Sequence, residues 1–409
     1  MIEYKEIKAC RSCQSEDLKQ VLDLGEMAVS AFGTENVAEM APLKLVLCSN
    51  CQLVQLKHTV EQNRLYRNYW FRSFLNPVMR RHLQEIVYEA MGKVELDAGD
   101  VIVDIGANDG TLLSFYPDWL YRVGFEPAGN LLSGASVYAN ILIPDFFNLN
   151  SFRMASQKKA KIITSIAMFY DLDDPNRFVQ DIRECLADDG IWVIEMLYLP
   201  HMIKNNAFDT ICHEHLTYYS LTSLEHLLHR NQMEIETYDF NPINGGSFRV
   251  YVRHGDISNN LHNIEKTDIE MGEALFRFAD RIKGLRRRVM NFLIEETAKG
   301  KRIFGYGAST KGNTFLQYSD LSNTIIQKIA DRSSAKWGLK TVATNIPIIS
   351  EAEMRAEKPD YLLVLIWQFR DAVIQREMAY LKAGGKMIFA LPSPELVYYE
   401  NGKIVVQAI

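Results

Sequence analysis

Val101-Ile-Val-Asp104-Ile-Gly106-Ala-Asn108-Asp-Gly110 decides the reading of this chain. An apolar, largely β-branched run has the look of a buried strand, and the two glycines that follow allow a tight turn and close approach of a ligand to the backbone. Ligands of open α/β sheets bind beyond the carboxyl ends of the strands, which is where such a turn lies. About twenty residues on, Gly124-Phe-Glu126-Pro127 closes a second apolar run with a carboxylate able to accept both hydroxyls of a ribose. Together the two stretches fit an adenosyl ligand.

Outward from that turn the pattern is regular. Strands are expected over 101–105, 121–125, 141–143, 161–166 and 191–195 with helix-length segments between them, the signature of a mainly parallel, doubly wound sheet. A helix is expected ahead of them, from about Asn76 to Met91. The loop does not match G-x-G-x-x-G, which favours the S-adenosylmethionine site of class I methyltransferases over a pyrophosphate site for NAD. The segment 199–254 reads as less regular, and a long charged helix is expected over 266–299. A second, shorter alternation starts at Arg302-Ile-Phe-Gly-Tyr-Gly307 and runs through 325–330, 361–366 and 386–389, another small Rossmann-like α/β unit.

Ahead of the sheet, Cys10-Arg-Ser-Cys13 is answered by Cys48-Ser-Asn-Cys51. Each C-x2-C knuckle turns two sulfurs onto one face of a loop, and two knuckles close a tetrahedral zinc site with no position left open for a reaction. The zinc is therefore expected to be structural, stapling short hairpin strands such as 43–47 and 53–56; ordinary buried or disulfide-linked cysteines are the alternative. The expected units are a zinc-binding module over 1–60, a ligand-binding α/β domain over 61–260, and a long helix with the Rossmann-like domain over 261–409.

Composition is that of a globular chain: 409 residues, 47% hydrophobic and 23% charged. No apolar run is long enough for a membrane span and Met1-Ile-Glu-Tyr-Lys-Glu has no signal core, so a cytoplasmic protein is expected, in keeping with reduced zinc-binding thiols. A net charge of −6 argues against non-specific nucleic-acid binding, and the basic cluster Lys283-Gly-Leu-Arg286-Arg-Arg288 reads as a solvated helix face.

Two further clusters carry chemistry. His213-Glu214-His215 places titratable groups side by side, and a histidine near neutral pKa can remove a proton activated by a carbonyl. The histidines are two apart, not four, which excludes the zinc-protease pattern; structural hydrogen bonding is the other reading. Gly305-Tyr-Gly307-Ala-Ser309-Thr-Lys311-Gly312 joins a strand to a helix with hydroxyls and a lysine, a combination suited to a phosphate group or to a purely structural turn.

In order, the cysteine pairs, Tyr69-Trp-Phe-Arg72-Ser73-Phe-Leu-Asn76-Pro77, Asp104 to Gly110, Gly124 to Pro127, Asp145-Phe-Phe147, His213 to Ser220, Gly245-Gly-Ser247, Gly305 to Asn313 and Trp367-Gln-Phe-Arg370 resemble the sugar C-methyltransferases of deoxysugar pathways. That family adds a branching methyl at C-3 of nucleotide-linked 4-keto sugars. The resemblance implies His215 as the base with Glu214 positioning substrate or ring, and S-adenosylmethionine held by Asp104, Gly106, Asn108, Gly110, Glu126, Pro127, Asp145 and Phe146. It implies a nucleotide-sugar acceptor held by Arg72, Ser73, Tyr218, Tyr306, Gly307, Ser309, Lys311 and Asn313, with zinc on Cys10, Cys13, Cys48 and Cys51. Two positions depart from the pattern: Cys212 and Phe71 stand where tyrosines are expected, which removes donors for an enolate oxygen. The competing readings are a methyltransferase for another carbon or oxygen acceptor, and a zinc-ribbon protein that binds nucleic acid or a partner.

Overall fold

Val101–Ile105 is buried at every position and sits inside a seven-stranded sheet in the computed structural model, which describes residues 2–29, 32–34, 38–255 and 271–409. From one edge the strands are Ile141–Ile143, Tyr121–Phe125, Val101–Ile105, Ala160–Ile166 and Leu186–Leu197, all parallel, then Ser247–His254 antiparallel and Met233–Asn241 at the other edge. The chain winds first one way and then the other from Val101–Ile105, so the topological switch point lies between that strand and Ala160–Ile166. The five expected strands are all present. The segment 199–254 is more regular than its sequence suggests, because it supplies the hairpin that completes the sheet.

Pro77–Met91 forms the expected helix, with Pro77 in the first turn and the Asn76 side chain accepting from Val78 N–H and Met79 N–H. A second seven-stranded sheet runs Ile348–Ser350, Ile329–Asp331, Ile303–Tyr306, Tyr361–Val364 and Lys386–Phe389, all parallel, and ends in the antiparallel pair Glu395–Glu400 and Lys403–Ala408. The expected long helix is described over Met271–Ala298, and its buried residues Leu275, Phe278, Ile282, Leu285, Val289 and Leu293 recur at helical spacing. Residues 266–270 and the expected boundary at 260/261 lie outside the described residues.

The amino-terminal module does not stand alone. Its sheet runs Leu18–Ala28, Met40–Cys48, Val54–Leu56 and then Thr217–Tyr218, a strand contributed by the chain just after His215. Phe32–Gly33 pairs with Lys340–Thr341 in a separate two-stranded sheet, which ties the module to the carboxy-terminal part of the chain as well. One hydrophobic cluster joins all three parts, with Leu45 and Leu56, Phe208, Phe278, Leu316 and Ile388 packed into a common core.

Candidate active site

The four cysteines of the two knuckles converge. Cys10 Sγ is 3.6 Å from Cys51 Sγ, Cys13 Sγ is 3.5 Å from Cys48 Sγ, and all four sulfurs lie within 4.8 Å of one another. Thiolates at ~2.3 Å from one tetrahedral ion stand about 3.8 Å apart, so the donor set fits zinc with little movement. None is in a disulfide. Gln14 and Gln52, each the residue after a pair, take positive φ (63° and 59°) and donate back to Cys10 O and Cys48 O at 3.0 Å, so the two knuckles share one geometry. Gln55 Nε2 donates to Cys10 Sγ (3.2 Å). Arg11, between the first two cysteines, donates to Asp173 Oδ1 (3.1 Å), and Asn176 Nδ2 donates to Arg11 O and Ser12 O. The knuckle is thereby clamped to the segment that follows the fourth parallel strand.

At the tip of Val101–Ile105, Gly106, Asn108 and Gly110 all take positive φ (74°, 54° and 79°), and a Cβ on Gly110 would stand 2.8 Å from Ala135 Cα. Glu126 is buried; its two carboxylate oxygens accept from Asn108 N–H and Ala128 N–H at 2.7 Å each, while burial pushes its pKa up. Asp104 lies beneath the turn and accepts from Thr164 Oγ1–H (2.6 Å); burial, with the Glu126 charge adding to it, pushes its carboxyl up to about 7. Pro127 follows directly. Asp145 pairs with Arg67 (3.0 Å), and the Phe146 ring lies under the same guanidinium and edge-on to Tyr66. The stretch 69–76 roofs this turn: Tyr69 N–H, Ser73 N–H and Phe74 N–H donate to Asn130 Oδ1, Asn108 Oδ1 and Asp109 Oδ2, each at 3.0 Å. Arg72 donates to Asn130 O (3.1 Å). Arg72 and Ser73 therefore stand over the glycine turn.

His215 Nδ1 is 2.7 Å from Thr210 O. A carbonyl only accepts, so Nδ1 carries the proton and Nε2 keeps its lone pair. Burial, then the charge of Lys311, lowers the ring's pKa to about 3, below the near-neutral value expected from its sequence. The Tyr170 ring packs against it with centroids 4.3 Å apart. Glu214 is raised by burial, its backbone oxygen accepts from Tyr66 Oη–H (2.8 Å), and Asp171 is raised by burial and by the Glu214 charge. The phenols of Tyr66, Tyr69, Tyr170 and Tyr218 are all pushed up, by burial first and then by the charge of Asp171 for the first three and of Cys212 for Tyr218. Hydroxyl donors are thus present although Cys212 and Phe71 are not tyrosines. His213 turns away: its Nε2 lies 3.1 Å from Ala41 O in the amino-terminal module, which suits structural hydrogen bonding.

The carboxy-terminal helix Thr310–Tyr318 packs on this loop, with Thr314 Oγ1 donating to Ile211 O (3.0 Å). Asn313 lines a small cavity with Cys212, Glu214 and Thr310. Lys311 Nζ donates to Asn244 O (3.2 Å), and its charge acts on both His215 and Asp209.

The other turn residues are used by the fold. Tyr306, expected to contact the acceptor, has its hydroxyl in the carboxy-terminal core, 2.7 Å from Glu351 and 3.0 Å from Glu377, where its one proton serves one of the two carboxylates. Gly307 N–H is taken by Ala330 O (2.8 Å), and the Ser309 hydroxyl caps the helix by accepting from Gly312 N–H (2.9 Å). Sequence reasoning passed over Tyr66, Tyr170, Asp171 and Asp209, and gave no role to Trp367, whose Nε1 donates to Asp209 Oδ2 (2.8 Å). Tyr170 and Asp171 follow the strand at the switch point, on the carboxyl side where ligands of such sheets bind, a place that strand order and not sequence reveals.

Residues 10–66 match a putative zinc binding domain, 71–238 a methyltransferase domain, and 242–392 a C-methyltransferase C-terminal domain. The chain is similar to C-methyltransferase NovU of Streptomyces niveus, with 28% identity over 97% of this chain and 98% of that one. Among solved structures, an S-adenosylmethionine-dependent methyltransferase from Clostridium acetobutylicum matches 43% of this chain and 92% of its own at 10% identity (TM-score 0.35). The plantazolicin methyltransferase BpumL matches 44% and 86% at 14% identity (TM-score 0.35).

Proposed function

We propose that this chain, which matches a zinc-binding domain, a methyltransferase domain and a C-methyltransferase C-terminal domain in order, methylates C-3 of a nucleotide-linked 4-keto sugar with S-adenosylmethionine as donor. When bound, S-adenosylmethionine supplies an electrophilic methyl group on a sulfonium. Glu126 would take the ribose hydroxyls, with Asp104, Gly106, Asn108, Gly110 and Pro127 around the turn and Asp145 and Phe146 at its far side. Zinc on Cys10, Cys13, Cys48 and Cys51 would be structural, holding the sheet that includes Thr217–Tyr218. Thiols kept free of disulfides favour a cytoplasmic setting.

The observation that carries the reaction is the orientation of His215. With Nδ1–H spent on Thr210 O, Nε2 is left as an acceptor in a loop that faces the methyltransferase sheet on one side and the carboxy-terminal helix on the other. A ketone at C-4 acidifies the hydrogen on C-3; His215 Nε2 takes that proton, and the enolate carbon attacks the methyl in line. Glu214 and Tyr218 would orient the sugar. The test is exchange of the C-3 hydrogen for deuterium in heavy water. Wild type should exchange it and His215→Asn should not, while both bind S-adenosylhomocysteine equally. Methyl transfer to a hydroxyl with no exchange at carbon would establish the oxygen-acceptor reading instead.

A further inference from the structure

Lys311 sits beside a turn whose amides are already bonded within the fold. A phosphate cradle needs free amides beside its lysine, yet Gly307 N–H is bonded to Ala330 O and Gly312 N–H to the Ser309 hydroxyl oxygen. Lys311 instead reaches into the corner where three segments meet. The hairpin turn offers Asn244 O, 3.2 Å from Nζ; the turn Phe208–Thr210 offers Asp209; the third segment is the His215 loop. The corner is built firmly. A Cβ on Gly245 would stand 2.8 Å from the Trp367 ring, Trp367 holds Asp209 Oδ2, and Thr314, on the same face of the helix as Lys311, holds Ile211 O. Asp209 is 1% exposed, and its Oδ1 makes no hydrogen bond to another side chain among the described residues. Burial lowers the Lys311 pKa, and the Asp209 carboxylate works against that and favours the ammonium.

We propose that Lys311 is a catalytic residue whose ammonium donates to the C-4 oxygen of the acceptor and stabilises the enolate. This rests on the keto-sugar reading above. The C-3–H bond breaks and its proton goes to His215 Nε2; the bonding pair forms the C-3=C-4 double bond, and the carbonyl π pair moves onto oxygen beside Lys311. When the C-3–CH3 bond forms, the S–CH3 bond breaks with its pair left on sulfur, the carbonyl re-forms, and His215 returns its proton to solvent. One ammonium hydrogen stays on Asn244 O, and the others are available to the oxygen. The same charge that disfavours imidazolium in the free protein is offset by the enolate as it develops, so proton and negative charge appear together.

The test compares full-length wild type, Lys311→Met and Lys311→Gln in three assays: C-3 deuterium exchange at saturating keto sugar, inhibition by UDP and dTDP, and binding of S-adenosylhomocysteine. Exchange and methyl transfer should fall about 10²–10³-fold in both variants, the usual cost of one oxyanion donor. Nucleoside diphosphate inhibition and S-adenosylhomocysteine affinity should stay at the wild-type level, which also reports correct folding. Loss of diphosphate affinity with exchange preserved would overturn the inference in favour of a phosphate contact, as would wild-type exchange in both variants. If wild type itself neither exchanges nor methylates any keto sugar, the parent reading fails, an outcome separable from the failure of Lys311 alone.

Discussion

Asp104→Asn should make the ligand-free protein more stable at pH 8 and its hold on S-adenosylmethionine weaker, opposite signs that a purely structural residue would not give. Asp104 is 3% exposed, and its carboxyl is pushed from the ordinary 3.8 up to about 7 by burial, with Glu126 adding to the effect. A pKa raised in the folded state means that the folded protein binds the proton more tightly. The associated stability is therefore full below pH 3.8, declines as the pH rises through the window, and is lost above about pH 7. Across that gap the loss is at most about 4 kcal/mol. Asparagine keeps an oxygen for Thr164 Oγ1–H and carries no charge, so the loss disappears; an amide N–H2 without a good partner takes back ~1–2 kcal/mol. The net is a gain of about 2–3 kcal/mol at pH 8, shrinking or changing sign towards pH 4. Affinity for the cofactor should drop by about 1.5–3 kcal/mol, the worth of a hydrogen bond to a charged group. Thermal unfolding midpoints from pH 4.5 to 8.5 and calorimetry at pH 8 supply both readings. A midpoint lowered equally at every pH would refute the reasoning, and so would unchanged affinity.

Glu126→Ala should weaken S-adenosylmethionine binding by about 1–3 kcal/mol in calorimetry, and equal affinity would remove the ribose assignment. Cys48→Ser should lower the zinc content and folding yield together and reduce the activity of what folds, because Val54–Leu56 of the same module pairs with Thr217–Tyr218 next to His215; full zinc by elemental analysis with normal activity would contradict this. His215, lowered from 6.5 to about 3, lets the unfolded chain bind the extra proton, so wild type should lose stability as the pH falls from 6.5 towards 3. His215→Asn should lose less over that range, and its turnover should fall about 10²–10⁴-fold with cofactor binding kept; a parallel acid profile or near-normal turnover would count against the assignment.

The strands of the methyltransferase sheet were legible wherever an apolar run ended in a glycine turn or a carboxylate, as at Val101–Ile105 and Tyr121–Phe125. Met233–Asn241 was not, because as an edge strand it is exposed over most of its length and carries Glu234, Glu236 and Asp239 without a buried stripe. The cysteine cluster was legible because two short spacings encode it. What sequence did not carry was the direction of side chains once the units pack together. Tyr306 and Lys311 are five residues apart on one strand–turn–helix, yet one hydroxyl enters the carboxy-terminal core and the other side chain enters the His215 corner. That divergence depends on Phe208–Thr210 docking against Thr310–Tyr318, a contact between segments about a hundred residues apart. Tyr170 and Asp171 lack any motif of their own; the switch point of the sheet, visible only once strand order is known, gives them their place.

The central claim is transfer of a methyl group to carbon, and S-adenosylmethionine labelled with 13C at the methyl tests it most directly. The purified protein would be incubated with the labelled donor and a set of nucleotide-linked 4-keto sugars, and the product analysed by carbon NMR. The expected product carries a labelled methyl bonded to the sugar's C-3, seen as a carbon correlated with its skeletal neighbours, together with loss of the C-3 hydrogen. A labelled methyl on oxygen, or no transfer to any keto sugar by protein that binds the donor, would contradict it.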